Sequence, residues 1–315
     1  MSMRRKVGMF LSVELVIVIT IIIVILAGVV ASMRIVEQYK VLKYTHELRH
    51  YSEAMINFNN TYGKYPGELS PSSLAGYAEF ANSDVLSNII NNNTSAMFGD
   101  GNIWCYSTTD CKMNDSFRLL AVAGLIKPGL VTTTGTGLNV YGVSHSFANL
   151  AGKASPISKV NNQYMYSFAR WTAANSADVT LPMGGTWILQ PVLSEYWPTL
   201  WNGVPWLMLH GGNSASMRPH FGTSTTRGGI APSLAYGIDV KIDDGLPMGQ
   251  YSKFISTDVR RATVGYGCTT GPETWTGGTN NITSSNASPT QIFNLQYQSG
   301  NSEGAKGCQI MYAVS

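Results

Sequence analysis

Charged side chains are scarce in this chain of 315 residues, since Asp, Glu, Lys and Arg together make up only 12% of it. The net charge is +3, and the basic residues form no run beyond positions 4–6. Nucleic-acid binding depends on a clustered basic surface, so this class of function is not indicated. No spaced glycine pair is followed by Lys-Ser or Lys-Thr either, which excludes the common phosphate-binding loop.

Ionisable side chains are almost absent from residues 10–33, where Glu14 is the only one in 24 residues. A helix of ~20 apolar residues is long enough to span a bilayer. A carboxylate in hydrocarbon costs roughly 2.5–3.5 kcal/mol, so an intramembrane glutamate points to a function. A plain membrane anchor is one alternative. A secretory signal peptide cut near residues 29–31 is another. The apolar region of a signal peptide is only about 7–15 residues long, however, and this apolar stretch is longer.

Helix breakers are missing from residues 31–62, which contain neither proline nor glycine. Apolar residues recur there at spacings of three and four, which predicts one buried helical face. This stripe consists of Val41, Tyr44, Leu48, Tyr51, Met55, Phe58 and Tyr62. A single helix is therefore predicted from about residue 11 to residue 62, roughly 75 Å long, with Gly63 and Pro66 ending it.

The N-terminus, a short basic leader ending in Gly8 before an apolar helix with an early glutamate, resembles a type IV prepilin. In that family a peptidase cuts after glycine, the new N-terminus is methylated, and glutamate is the fifth mature residue. A cut after Gly8 makes Met9 the first residue and Glu14 the sixth. A cut before Phe10 restores the fifth position but loses the glycine. We favour Met9, because the small residue at the cut is the harder requirement.

The resemblance implies three parts: a leader at 1–8, a long helix at 9–62, and a periplasmic or extracellular head at 63–315. Three shorter stretches of the head are also similar to pilin-like proteins. They are residues 62–68, residues 98–102 followed by 119–126, and residues 239–247. The implied fold class is α+β, a pilin fold in which the long helix packs on an antiparallel sheet with large loops and disulfides.

A structural role, not an enzymatic one, follows from this resemblance. The chain would be a subunit of a type IV pilus or related filament, processed by prepilin peptidase in the inner membrane and then assembled at the cell surface. Glu14 would pair with the N-terminal amine of a neighbouring subunit, since buried charges are tolerated when paired. The large head also fits a minor tip pilin or adhesin, or a pseudopilin of a secretion system.

The four cysteines are even in number and follow the apolar segment, on the exported side, which indicates two disulfides. Three pairings are possible, and Cys105–Cys111 with Cys268–Cys308 is the simplest. On the chain-entropy model the larger loop could contribute up to ~4 kcal/mol. A four-cysteine zinc site is disfavoured because no C-x-x-C pair occurs.

The predicted helix contains an H-E-x-x-H pattern at residues 46–50, which is the zinc motif of metalloproteases. His46 and His50 lie about 160° from Leu48 at ~100° per residue, so both are predicted to point away from the head. No third zinc ligand is evident in the sequence. A membrane-anchored zinc hydrolase is therefore the competing hypothesis from a different class, and the disfavoured one.

Two further features of the head have a functional and a structural interpretation. A calcium loop could begin at Asp100 and use the oxygens of Asn102, Asp110 and Asp115, although the EF-hand pattern breaks at Trp104. The tryptophan-rich residues 187–206 could bind a glycan or host surface. Their aliphatic neighbours favour a core segment instead.

Overall fold

The computed structural model describes residues 4–92, 103, 113–134, 150–170, 203–211, 230–243, 245, 254–258, 269–270, 296–297 and 308–314. The helices are α1 (Arg4–Tyr62), α2 (Pro71–Ala75), α3 (Ala78–Ala81), α4 (Asp84–Asn92), α5 (Met113–Val122) and α6 (Pro232–Ile242). The strands are β1 (Tyr164–Arg170), β2 (Pro205–Gly211), β3 (Phe254–Asp258), β4 (Thr269–Thr270), β5 (Gln296–Tyr297) and β6 (Cys308–Ala313). The chain divides into two compact units, residues 1–43 and residues 44–315.

The first compact unit contains a long apolar and exposed stretch of α1. Every residue from 13 to 40 is exposed, and the large apolar side chains from Val13 to Val36 are each 47–67% accessible. By length and composition, α1 could cross a membrane. The predicted long helix with an apolar first half is therefore confirmed.

Helix α1 ends where the sequence predicts. Gly63 adopts φ +72°, and its N–H donates to the Asn59 carbonyl at 2.8 Å. Glycine occupies this left-handed conformation without the steric cost that a Cβ atom would bring. The chain then turns through Pro66, whose carbonyl accepts a hydrogen bond from the buried Ser116 hydroxyl at 3.0 Å.

The second compact unit contains a four-stranded sheet with the order β1-β2-β6-β3, in which every neighbouring pair is antiparallel. In the two central strands, Leu209 of β2 lies opposite Ile310 of β6. On the other side of β6, Ser256 of β3 lies opposite the same residue. Strands β4 and β5 form a separate antiparallel pair. The predicted α+β class, with a long helix and an antiparallel sheet, is confirmed.

Helix α1 buries about half of its circumference between Tyr44 and Phe58. The buried residues are Tyr44, Thr45, Glu47, Leu48, Tyr51, Ser52, Ala54, Met55 and Phe58. The Tyr51 ring lies 5.4 Å from that of Phe117 on α5 and 4.8 Å from that of Tyr166 on β1, centroid to centroid. One side chain of α1 thus contacts both another helix and the edge strand of the sheet.

The polar composition after residue 69 predicts loops and strands, yet several helices occur there. Ser70 caps α2, because its hydroxyl accepts from the Ser73 N–H at 3.1 Å while Pro71 occupies the first turn. Ser83 accepts from the Leu86 N–H at 3.1 Å and so caps the start of α4. Composition averages over such positions, whereas a single serine before a short apolar run can start a helix.

We expect Leu48→Ala to lower the free energy of unfolding by about 2–5 kcal/mol, because the substitution opens a cavity in a close-packed core. Leu48 is 0% exposed. Leu42→Ala is the matched control, since Leu42 belongs to the same helix but is 54% exposed. Denaturant unfolding of both variants in detergent micelles measures the difference, and equal losses would contradict the observed burial.

Candidate functional site

The most distinctive polar site of the described residues surrounds Glu47, whose side chain is buried at 7% exposure. Its carboxylate accepts hydrogen bonds from the Ser158 hydroxyl and the Lys159 N–H, both at 2.8 Å, and from the Tyr166 hydroxyl at 2.7 Å. A buried carboxylate is tolerated only when such donors replace water. Residues 158–166 supply all three donors, so one short segment leading into β1 holds this group.

Burial keeps the tyrosines around Glu47 protonated. Burial is the largest cause that raises the pKa of Tyr166 well above its usual 10, and the nearby Glu47 charge adds to it. Burial also raises the pKa of Tyr44 and of Tyr51, with Glu47 again contributing. A phenolate beside this carboxylate would be doubly unfavourable, through desolvation and through like-charge repulsion.

Glu47 is the residue of this site that the sequence interpretation missed. The predicted stripe contains only apolar and aromatic residues, although Glu47 lies just ~20° from its member Phe58 at ~100° per residue. The buried face spans about 180°, so a residue at this angle is still covered. The sequence contained one indication that this side of the helix is covered. Ala54, a small residue, follows Glu47 by seven positions and lies on the same side of the stripe.

The three members of the H-E-x-x-H pattern do not converge. His46 and His50 are exposed, as their angles on the helix predict, whereas Glu47 is buried and is occupied by its three donors. In the described part of the chain, no group of three or more His, Cys, Asp or Glu side chains is placed to hold a metal ion.

A G-x-S-x-G pattern at residues 300–304 is the signature of a nucleophile elbow in some hydrolases. It lies outside the described residues. The described elements on either side are β5 and β6, both strands, whereas a nucleophile elbow joins a strand to a helix.

Asp115, one of the four calcium candidates, lies in the first turn of α5 and pairs with Arg118. The carboxylate Oδ1 is 3.1 Å from Nη1 of Arg118, whose Nε donates to the Thr132 carbonyl at 3.1 Å. Asp115 is 2% exposed, and burial raises its pKa to about 7 although Arg118 acts in the opposite direction. Among the described residues, the atoms Oδ2 of Asp115 and Nη2 of Arg118 have no hydrogen-bond partner. The other three candidates, Asp100, Asn102 and Asp110, lie outside the described residues.

A second charged pair fixes the turn that follows α1. The buried carboxylate of Glu68 pairs with Nη1 of Arg170 and accepts from the Tyr65 N–H at 3.0 Å. Arg170 ends β1, and its Nε donates to the Gly203 carbonyl at 2.7 Å. The turn after α1 is thereby connected to the end of the edge strand.

The remaining predicted site residues are distributed along the chain. Glu14 is exposed on α1, and Gly8, Met9 and Phe10 belong to the same helix, with their side chains outside the described set. Every residue of the predicted stripe is buried except Tyr62, whose ring packs beside Phe58 and Phe80.

Cys308 is buried at the start of β6, whereas Cys105, Cys111 and Cys268 lie outside the described residues, so both pairings stay predictions. From the tryptophan-rich segment 187–206, Trp206 is buried in β2.

No protein-family model matches this chain, and comparison with curated proteins and with solved structures gives no significant match.

We expect Tyr166→Phe to lower the free energy of unfolding by about 1.5–3 kcal/mol, because it removes one hydrogen bond to a buried carboxylate without changing the ring. In a Glu47→Gln background the same substitution should cost less, since the acceptor is then neutral. A double-mutant cycle measures this coupling. Identical losses in both backgrounds would mean that the hydroxyl and the carboxylate do not interact.

We expect the contribution of Asp115 to stability to fall as the pH rises from 3.8 to about 7, because Asp115 keeps a proton in the folded chain that the unfolded chain releases over this range. The contribution is complete below pH 3.8 and is lost through pH 7. Asp115→Asn should remove this component of the pH slope. Asp84→Asn, which changes a first-turn aspartate of α4, should leave it in place. An unchanged slope in Asp115→Asn would contradict the assignment.

Proposed function

We propose that this chain is a structural subunit of a type IV pilus or a related pilus-like filament. The observation that carries the proposal is the division of α1 into two chemically different parts. Residues 13–33 are apolar apart from Glu14 and are exposed, and residues 44–58 of the same helix bury one face against a folded unit with an antiparallel sheet.

The exposed part of α1 requires an apolar environment that the described residues do not supply. Contiguous apolar surface of this extent marks a membrane or protein contact in a soluble or anchored protein. A helix that is apolar all round is covered either by lipid or by other helices. A filament subunit meets both conditions in turn, with lipid around the helix before assembly and neighbouring α1 helices after it.

Glu14 supports assembly and not only anchoring. It is the one ionisable side chain in residues 10–33, and a carboxylate is costly in either apolar environment unless a positive charge is close. The free amine produced by leader removal on a neighbouring subunit would supply that charge. If the chain begins at Met9, the carboxylate lies one residue, or about 100°, away from the usual pilin position.

The type of filament follows from the size of the head. Residues 63–315 form a head that is large for an abundant pilus subunit. A minor subunit at the tip, with an adhesive surface for a host or glycan ligand, and a pseudopilin of a secretion system are the two finer alternatives. We assign the precursor to the inner membrane and the assembled chain to a surface filament.

A zinc hydrolase is the alternative from another class, and the geometry at residues 46–50 does not favour it. A zinc protease needs both histidines and the glutamate at one open site. Here Glu47 is bound by protein donors on the buried side of α1, and both histidines lie on the other side. We therefore assign no catalytic residue.

Mass spectrometry of protein sheared from the cell surface tests the proposal. We expect a methylated N-terminus at Met9, or at Phe10 if the glutamate position determines the cut. Gly8→Leu should leave an uncleaved precursor in the membrane fraction. Glu14→Gln should be cleaved normally but yield few filaments, because processing and assembly depend on different residues.

Two results would overturn the proposal. A wild-type chain that keeps its leader and stays in the membrane would be an anchored protein and not a filament subunit. A chain beginning near residue 32 would be secreted after signal cleavage, and α1 would then lose its apolar half.

A further inference from the structure

We propose that α1 binds the phosphate groups of anionic phospholipids where it leaves the bilayer, through Tyr39, Lys40 and Lys43. The inference rests on the membrane location of the precursor in the proposed function, but it does not require that the chain assembles into filaments. It concerns only the first compact unit, which consists of residues 1–43.

The position of the bilayer along α1 follows from the charges of the helix. Residues 15–33 carry no ionisable side chain, and Glu14 and Arg34 stand at the two ends of this stretch. Its 19 residues form a helix about 28 Å long, close to the ~30 Å of a hydrocarbon core. The core therefore ends between Met33 and Val36, the last exposed apolar residue before Tyr39.

Tyr39, Lys40 and Lys43 share one face of α1 just beyond that boundary. At ~100° per residue they fall within about 100° of one another. All three are exposed. Tyr39 lies three to six residues beyond the end of the core, which is about 4.5–9 Å along the helix axis. The headgroup layer is roughly 5–8 Å thick on each side of a bilayer, so Tyr39 lies in this layer or at its outer edge.

The lysine side chains are directed back towards the headgroup layer. Every Cα–Cβ bond of a helix tilts towards the N-terminus, which is the membrane side of this segment. The structure shows this direction for Lys43, whose Nζ lies 5.4 Å from the centroid of the Tyr39 ring, one turn nearer the membrane. This cation–π contact holds the ammonium at the level of the headgroups. Aromatic rings of this kind are typical of the membrane interface.

The charge of the segment favours an anionic partner. Residues 34–43 contain three cations and one carboxylate, Glu37, which gives a net charge of +2. Glu37 lies about 60° from Lys40 and about 120° from Lys43 around the helix. Within the described residues neither lysine forms an ion pair, so both ammonium groups are available to a phosphate. A basic residue near an anionic lipid surface strengthens binding about fivefold, the equivalent of about 1 kcal/mol.

Electron paramagnetic resonance of spin-labelled lipids tests this inference on the full-length chain in phosphatidylcholine vesicles. Traces of spin-labelled phosphatidylglycerol or phosphatidylcholine report how much of each lipid the protein immobilises. We expect the wild type to prefer phosphatidylglycerol, with a preference that falls as salt is added. Lys40→Gln combined with Lys43→Gln should lower this preference by about two- to fivefold. The basic leader at residues 4–6 is the same in both chains and does not affect the difference.

Three further variants separate a lipid site from a general effect of charge. Lys64→Gln removes an equally exposed lysine that follows the end of α1, and it should leave the preference unchanged. Lys40→Arg combined with Lys43→Arg should also keep it, because both cations remain. Tyr39→Leu should lower it partly, because Lys43 then loses the ring that holds its ammonium near the headgroups.

An unchanged preference in the double glutamine variant would overturn the inference. If that variant also failed to form filaments, the lysines would contact a neighbouring subunit and not lipid. A chain that does not insert into vesicles would overturn the inference together with the membrane location. The vesicles require no filaments, so an absence of surface filaments in cells would count against the proposed function alone. If the double variant does not fold, Lys40→Gln and Lys43→Gln decide singly.

Discussion

The Tyr51 ring packs edge-on against Phe117 of α5 and lies against Tyr166 of β1, so it contacts two different layers of the second compact unit. Around it, residues 44–58 of α1 bury about half of the helix circumference. A helix of this composition is not stable alone in water, and most of its stability comes from packing an amphipathic face. The sheet in turn needs a layer on its face to exclude water. Each layer therefore depends on the contact with the other.

The buried carboxyl groups of this unit are held by hydrogen bonds or ion pairs within it. Glu47 connects α1 to the segment before β1, Glu68 connects the turn after α1 to the end of β1, and Asp115 contacts Arg118 within α5. Buried ion pairs contribute little net stability, because desolvation offsets the attraction. Their geometry is directional, however, so they restrict how the apolar surfaces fit together. We infer that specificity, more than stability, explains their presence.

The first compact unit presents the opposite physical situation. Residues 13–33 are all exposed, and the sequence alone indicated this, since a helix that is apolar on every side has no polar face to turn to water. The single carboxylate of this stretch, Glu14, is the feature that separates an assembly role from simple anchoring. The proposed filament function follows from these two properties together. Whether the chain is a major or a minor subunit depends on the head.

The sequence by itself determined the long helix, its end at Gly63 and the exposure of His46 and His50, because each follows from local periodicity and from residues that break a helix. The α+β class was implied only by the resemblance to a known family. The sequence did not determine that Glu47 is buried, that Asp115 pairs with Arg118, or that serines at 70 and 83 begin helices. Those outcomes depend on groups distant in the chain or on single capping contacts. A helical period predicts the direction of a side chain, but only the width of the surface packed against it decides whether a charge at the margin is covered.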